Sequence, residues 1–374
     1  MTFNEYHAQY DWNQIQEQIE SKTINDVDRA LQKKGQLNID DFAALISKAA
    51  AERLEVMAQR SRALTLKRFG RTMQMYLPLY LSNECSNCCT YCGFSHLNKD
   101  LKRLTLTDEQ IISEINVIKK WPYEHILLLT GEDAKNSGFE YLRHAIQICK
   151  RYFKHISIEV QPMDTEEYRI LGEEGVSAVM VYQETYHREN YKKYHPSGKK
   201  SIFSYRIDTP DRICEAGIRK VGLGCLMGLE DWRTDCFFTA MHLRYLEKKY
   251  WRTRYSISLP RLRPHAGLQD QKNIQTDREL LQLICAYRLF DPDVEISLST
   301  RESAIFRDNA SKIAVTSLSA GSRTDPGGYS LSKEELPQFI VNDDRSPEEV
   351  AAMLMKEGYE PVWKDWDPVL DGNF

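Results

Sequence analysis

Eight short apolar runs of strand character recur between Met73 and Ala320, with helical patterns filling the gaps. The runs are MQMYLPLYLS (73–82), HILLLTG (125–131), HISIEVQ (155–161), SAVMVYQ (177–183), RKVGLGCLM (219–227), YSISLPRL (255–262), VEISLST (294–300) and KIAVTSLSA (312–320). Between them stand TDEQIISEINVIKKW, FEYLRHAIQICKRY, DTEEYRILGEEG, DTPDRICEAG and DRELLQLICAYRLF. Strand–helix repetition calls for a parallel sheet with crossover helices. Eight units predict an α/β fold of the closed (β/α)8, TIM-barrel type; a doubly wound open sheet is the structural alternative.

The repeat leaves both ends of the chain over. Residues 1 to about 70 read as helical: Thr23 caps TINDVDRALQ, NIDDFAALIS repeats the pattern, and AAERLEVMAQRSRALTLKRFG is a long amphipathic helix ending at Gly70. Its basic end suits the negative pole of the helix and is otherwise a solvated face. Past about 325 one helix starts at Ser346, with Glu348 and Glu349 in its first turn, and an aromatic tail follows. The expected organisation is a helical extension (1–70), a barrel (71–324) and a C-terminal cover (325–374). With 42% hydrophobic and 28% charged residues the chain can bury a large core, and a net charge of −4 asks for neither nucleic acid nor an anionic membrane. The polar N-terminus holds no signal-peptide core, and no apolar run nears the roughly 18 residues that span a bilayer. A soluble, cytoplasmic protein is expected.

Active sites of such barrels sit where the strands end, so the residues just past each run form a test. They are NECSNCCTYC; Thr130-Gly131-Glu132; Glu159 and Gln161; Gln183-Glu184-Thr185; Arg261 and Arg263; Arg301-Glu302; and Ser319 and Ser322. Each alone suits a helix cap or a surface charge. Together they give one rim of thiols, carboxylates and arginines. Four of the nine cysteines crowd into ECSNCCTYCGF (84–94); Cys149, Cys214, Cys225, Cys236 and Cys285 are scattered and read as small buried hydrophobes. Four thiols could bind zinc, but adjacent Cys88 and Cys89 are poorly placed to share one tetrahedral ion. A bacterial-ferredoxin carrier would need C-x2-C-x2-C-x3-C, which is not the spacing here. The third reading takes Cys85, Cys89 and Cys92 as three ligands of a [4Fe–4S] cluster that keeps one iron open, with Cys88 a bystander.

That C-x3-C-x2-C spacing after the first strand, with Tyr91 before the third cysteine and Gly93-Phe94 behind it, resembles the signature of the radical S-adenosylmethionine (SAM) superfamily. The resemblance implies a radical SAM barrel with a [4Fe–4S] cluster and SAM as cofactors. LLLTGED is similar to the segment that meets the SAM amino group, which makes Glu132 its candidate partner. YQET resembles the ribose-binding segment, with Glu184 the leading contact and Glu159 a weaker one, and GLGCLMGLE resembles the stretch whose backbone meets adenine. Arg188 and Arg206 are both candidates for the SAM carboxylate.

MYLPLYLSNECSNCCTYCGFS, IEVQP, VMVYQETYH, TPDRICEAGI, YSISLPRLRP, ISLSTRESAIFRD, SAGSRTDPGGY and PVWKDWD together resemble one family within it, the radical SAM tyrosine lyases of thiamine biosynthesis. The resemblance implies that a 5′-deoxyadenosyl radical takes hydrogen from the amino group of L-tyrosine. The Cα–Cβ bond then breaks, giving 2-iminoacetate (dehydroglycine) and p-cresol. It also implies a thiazole synthase that takes the imine and a flavodoxin or ferredoxin that gives the electron. Arg301 is the candidate fork for the substrate carboxylate, with Ser319 or Ser322 adding a hydroxyl; an ion pair to Glu302 is its plainer role. His195, His265 or a nearby tyrosine could handle the phenol proton. Arg261 and Arg263 are equally readable as structural. The related hydrogenase maturase carries a second cluster on C-terminal cysteines, whereas the last cysteine here is Cys285. A related radical SAM aromatic amino acid lyase is one alternative, and a non-catalytic subunit of the thiazole synthase complex is the alternative of another class.

Overall fold

Eight parallel strands close on one another around an apolar and polar interior: β1 Thr72–Ser82, β2 His125–Thr130, β3 His155–Glu159, β4 Val176–Met180, β5 Lys220–Leu223, β6 Arg254–Ser258, β7 Glu295–Leu298 and β8 Ser317–Ser319. The computed structural model describes residues 1–262, 275–331 and 338–364. Closure runs through β1. Gln74, Met75 and Tyr76 pair with Ser317, Leu318 and Ser319 of β8, and Leu77–Tyr80 pair with Ile126–Leu129 of β2. At 11 residues β1 is long enough to serve its two partners at different heights, the stagger that closing a barrel demands. The open-sheet alternative is thereby excluded.

Three local expectations change. The eighth strand does not start at Lys312: Ser311, Ile313 and Ala314 donate back to Arg307 and Ala310, so residues 311–314 prolong the helix Ala304–Ala310 as turns. The long N-terminal helix begins with a 3₁₀ segment, Lys48–Arg53, and is α-helical only over Leu54–Phe69. The C-terminal tail adds a ninth parallel strand, β9 Glu360–Val362, which pairs with Thr72–Gln74. Gln74 meets both Ser317 and Val362, so β9 takes the edge of β1 that β2 occupies higher up. Pro361 hides this short strand, since proline lacks the ladder donor.

Crossover helices start at side-chain caps: Thr107, Thr276 and Ser346 each accept from the backbone three residues on, and a Gln or Glu there returns the bond. The helix Trp232–Lys249 escapes periodicity because it is covered on both flanks, by the barrel and by the N-terminal helices. Phe3 stacks on its His242 at 3.7 Å between ring centroids, and its Arg233 Nε donates to the Ile46 carbonyl (2.9 Å). Gln282, in the helix Asp277–Phe290, likewise donates to the carbonyls of Leu45 and Ser47 (2.9 and 2.8 Å). The N-terminal helices are thus fused to one flank of the barrel. No described helix is long and apolar enough to cross a membrane.

After β8 the chain returns across the barrel mouth. Asn342 and Asp343 donate their backbone N–H groups to the Thr300 carbonyl (2.9 and 3.2 Å). The Asp343 carboxylate pairs with Arg307, whose guanidinium also donates to the Ser319 carbonyl; both side chains are 1% exposed. Removing Asp343 strands the Arg307 charge in the interior, whereas Asp343 without Arg307 keeps Arg345 (2.7 Å). Asp343→Ala is expected to cost about 3–5 kcal/mol in denaturant unfolding, and Asp343→Ala combined with Arg307→Met less than the single change.

Candidate active site

The loop leaving β1 is held from three sides. Ser86 donates its N–H and hydroxyl to the Glu132 carbonyl (3.1 and 3.0 Å). Cys88 N–H donates to Ser197 O (3.3 Å), and Thr90 N–H to Tyr194 O (3.1 Å). Arg103 donates to the carbonyls of Asn83, Phe94 and Ser95 (2.7, 2.8 and 2.8 Å) and pins the far end. Two glycines permit the close approach. A Cβ at Gly131 would lie 2.1 Å from the Glu84 carbonyl oxygen; one at Gly198, where φ is +90°, would lie 2.2 Å from Asn87 Oδ1.

Three of the four thiols lie in one another's field. Burial pushes Cys85 up to about 11, with Glu132 and Cys92 adding to it. Burial also raises Cys89; Lys200 opposes this, while Cys92, Glu132 and Cys85 reinforce it. Cys92 is raised by burial against Lys200 and against N–H donors from Phe94 and Gln338. Among the described residues no three His, Cys, Asp or Glu side chains converge as one metal ion requires. A donor set of three coupled thiols, beside a lysine that favours the anions of Cys89 and Cys92, suits a three-thiolate cluster better than single-ion zinc.

Behind this loop lies a buried ion network that the sequence only half showed. Arg206 donates to Glu132 Oε1 (2.9 Å) and to the Tyr182 carbonyl (2.7 Å). Asn87 Nδ2 takes Glu132 Oε2 (2.8 Å), and Lys200 Nζ takes Glu184 Oε1 (2.7 Å). Burial works against ionising Glu132 and Glu184, but Arg206 and Lys200 outweigh it and hold both below the usual carboxylate range. Glu184 has φ +70°, unusual for a residue with a side chain, and its carbonyl accepts from Leu226 N–H (2.8 Å). Glu132 therefore stands behind the cavity wall with both oxygens engaged, instead of facing a ligand.

The barrel mouth holds a cavity of about 160 Å³ whose lining includes Tyr91, Cys92, Glu159, Glu184, Arg301, Ser319 and Ser322. Seven residues singled out from five different stretches thus share one space. Glu159 is raised to about 7, by burial and by Glu184, against the pull of Arg301, Lys200 and Arg206. Arg301 does not pair with Glu302. Its guanidinium lies 3.4 Å from the Phe339 ring centroid, and Glu302 is bound by Arg261, which also holds Asp277 (2.7 Å). Arg261 is accordingly a structural arginine. Among the described residues the buried Ser322 hydroxyl has no hydrogen-bond partner, while Ser319 Oγ accepts from Thr300 N–H (3.3 Å).

Other candidates fall away from the cavity. Arg188 donates to Asn4 Oδ1 (2.7 Å) and stacks on Phe203, on the N-terminal flank. His195 is buried and pushed down to about 2, by burial and then by Lys200 and Arg206. Its Nδ1–H donates to the Tyr191 carbonyl (2.9 Å), so Nε2 accepts from the Tyr91 hydroxyl (2.7 Å). It orients the aromatic wall and is unsuited to carrying a proton. Arg263 and His265 lie outside the described residues. Sequence reasoning missed Lys200, Asn87 and Gln338. Lys200 sits in a polar loop with no strand before it, and the two amides carry no pattern of their own.

The Radical SAM superfamily matches residues 79–235, and the Biotin and Thiamin Synthesis associated domain matches residues 258–360. The 2-iminoacetate synthase of Escherichia coli (strain K12) is 48% identical over 370 residues, covering 99% of this chain and 98% of the relative. The crystal structure of HydG, a maturase of the [FeFe]-hydrogenase, superposes with a TM-score of 0.90 at 30% identity, covering 96% of this chain and 81% of that one. Methylornithine synthase (PylB) shares the fold at a TM-score of 0.71 and 21% identity, covering 93% of this chain and all (100%) of that one.

Two outcomes follow from this geometry. Gly131→Ala drives a Cβ into the backbone of the cysteine loop, so it should cost about 1–3 kcal/mol and lower the iron held per chain after reconstitution. Glu159 is raised in the folded state, so its stabilising effect is complete below its ordinary value of 4.5 and is lost as pH rises through about 7. Glu159→Gln should therefore raise the denaturation midpoint of the metal-free protein at pH 8, with the gain shrinking towards pH 5.

Proposed function

The chain belongs to the radical SAM superfamily and, within it, to the 2-iminoacetate synthases, and from that membership we propose that it cleaves the Cα–Cβ bond of free L-tyrosine. The products are 2-iminoacetate and p-cresol, with methionine and 5′-deoxyadenosine from SAM, and the imine supplies thiazole formation in thiamine biosynthesis. The observation that carries this reading is identity of 48% along essentially the whole chain, not over the cysteine loop alone.

Cys85, Cys89 and Cys92 would hold the [4Fe–4S] cluster, and Cys88 would not. When bound, the cluster supplies one electron that cleaves SAM to methionine and a 5′-deoxyadenosyl radical. The chain's own residues then have positioning work above all. Glu184 faces the cavity and is the contact for the SAM ribose, with its carboxylate kept ionised by Lys200 and Arg206. Arg206 outranks Arg188 for the SAM carboxylate because it lies in the network around the loop. Glu132 acts one step back, fixing Arg206 and Asn87. Arg301, seated on Phe339 and in no ion pair among the described residues, is the fork for the tyrosine carboxylate, and Ser322 adds its unpartnered hydroxyl. Ser319 is the weaker contact, since Thr300 N–H already uses its oxygen. Glu159 takes over from His195 as the group for the phenol proton, since a carboxyl near 7 can accept it at neutral pH. The imine passes to a thiazole synthase before water hydrolyses it, a flavodoxin or ferredoxin gives the electron, and the setting is cytoplasmic.

Anaerobic reconstitution followed by SAM, reductant and L-tyrosine should yield p-cresol and 5′-deoxyadenosine together. Deoxyadenosine without p-cresol would reject tyrosine as substrate and keep the radical chemistry; absence of iron would reject both. Alanine at Cys85, Cys89 or Cys92 should abolish both products, and Cys88→Ala should retain them. Arg301→Lys loses the bidentate fork and should raise KM for tyrosine roughly tenfold or more.

A further inference from the structure

Among the described residues the segment that recrosses the barrel mouth hydrogen-bonds the cysteine loop through the Gln338 side chain. Gln338 N–H donates to the Thr324 carbonyl (2.9 Å), and Thr324 Oγ1 donates to the Phe339 carbonyl (2.9 Å), so Gln338 is held where the segment lines the cavity. Its Oε1 accepts from the Tyr80 hydroxyl (2.7 Å), and its Nε2 lies 3.9 Å from Cys92 Sγ. The orientation of the amide follows from the chemistry. Turned over, it would set a carbonyl oxygen against a thiolate sulfur; only the NH2 end is compatible with an anionic neighbour. Tyr80 is buried and stays protonated, so it serves as the fixed donor to the other end. Among the described residues Cys85 and Cys89 have no such side-chain donor: backbone N–H groups face Cys85, and the Lys200 charge faces Cys89.

We propose that Gln338 is a positioning residue of the cluster site: held by Tyr80, it donates an N–H to the Cys92 sulfur and so sets the reduction potential of the bound cluster. This rests on the assignment of Cys92 as a cluster ligand. A hydrogen bond to a ligating sulfur draws off part of its negative charge and favours the reduced cluster. It also makes the cluster's electronics depend on the C-terminal segment being closed over the mouth, because the residue after Gln338 is the Phe339 that seats Arg301.

The test is an EPR-monitored potentiometric titration of reconstituted wild type, Gln338→Leu, Gln338→Glu and Tyr80→Phe, without SAM or tyrosine, after iron and sulfide have been counted. The midpoint should move to more negative potential in Gln338→Leu, further in Gln338→Glu, and less in Tyr80→Phe. Gln338→Glu keeps the bond from Tyr80 and the side-chain shape but replaces the donor by an anion whose charge alone lowers the potential, so Gln338→Leu, which removes the donor without adding charge, decides against a purely structural role. A full cluster with an unchanged midpoint in Gln338→Leu overturns this inference alone. Wild type that takes up no cluster overturns the ligand assignment and the inference together.

Discussion

Four buried charges at the barrel mouth, Glu132, Arg206, Lys200 and Glu184, set the geometry on which the rest of the site depends. Side-chain exposures of 6–14% mean that each has given up most of its water. Charges so buried are tolerable only in company, and removing one leaves a partner uncompensated. The network reaches into three segments at once. Through Asn87 it grips the cysteine loop, through Arg206 it grips the end of β4 at the Tyr182 carbonyl, and through Lys200 it holds Glu184 in its left-handed conformation. Electrostatics, more than apolar packing, fixes where the thiols stand relative to the cavity.

The barrel itself was legible because its signal is repetitive. Eight runs at the right spacing need no single one to be correct, so the late start of β8 did no harm. The cysteine loop was legible because ligand spacing is local. What the sequence hid was long-range: that Glu132 faces Arg206 and Asn87 and not the cavity, that Arg188 belongs to the N-terminal flank, and that Glu302 is spent on Arg261 and so leaves Arg301 without its neighbour. A rim position says that a side chain is near the mouth. Which way it points is settled by partners tens or hundreds of residues away. β9 was hidden for a different reason: three residues with a central proline carry no strand pattern, and only the exposed lower edge of β1 makes them one.

The same limit explains Lys200 and Gln338. Neither occurs in a stretch with hydrophobic periodicity, and lysine in a loop is a solvated charge until acids are found beside it. Here two acids, the thiols of Cys89 and Cys92 and the face of Tyr91 at 5.7 Å converge on one ammonium. Lys200 is the nearest thing in the site to a counter-ion for the thiolates, and it keeps its proton despite burial.

Charge balance then accounts for how the site can be filled. Three cavity or near-cavity carboxylates, Glu132, Glu159 and Glu184, stand against Lys200, Arg206 and Arg301. Glu159 lacks full compensation, which is why its carboxyl rests near neutrality while the other two stay ionised. A cluster on three thiolates is anionic overall, and SAM brings a sulfonium. A tyrosine carboxylate bound at Arg301 would take up the cation that now moderates Glu159. Glu159 would then hold a proton more firmly, in the same step that brings a phenol into the cavity. Substrate binding and the protonation state of Glu159 are thus coupled through one arginine, by Coulomb interaction among buried groups.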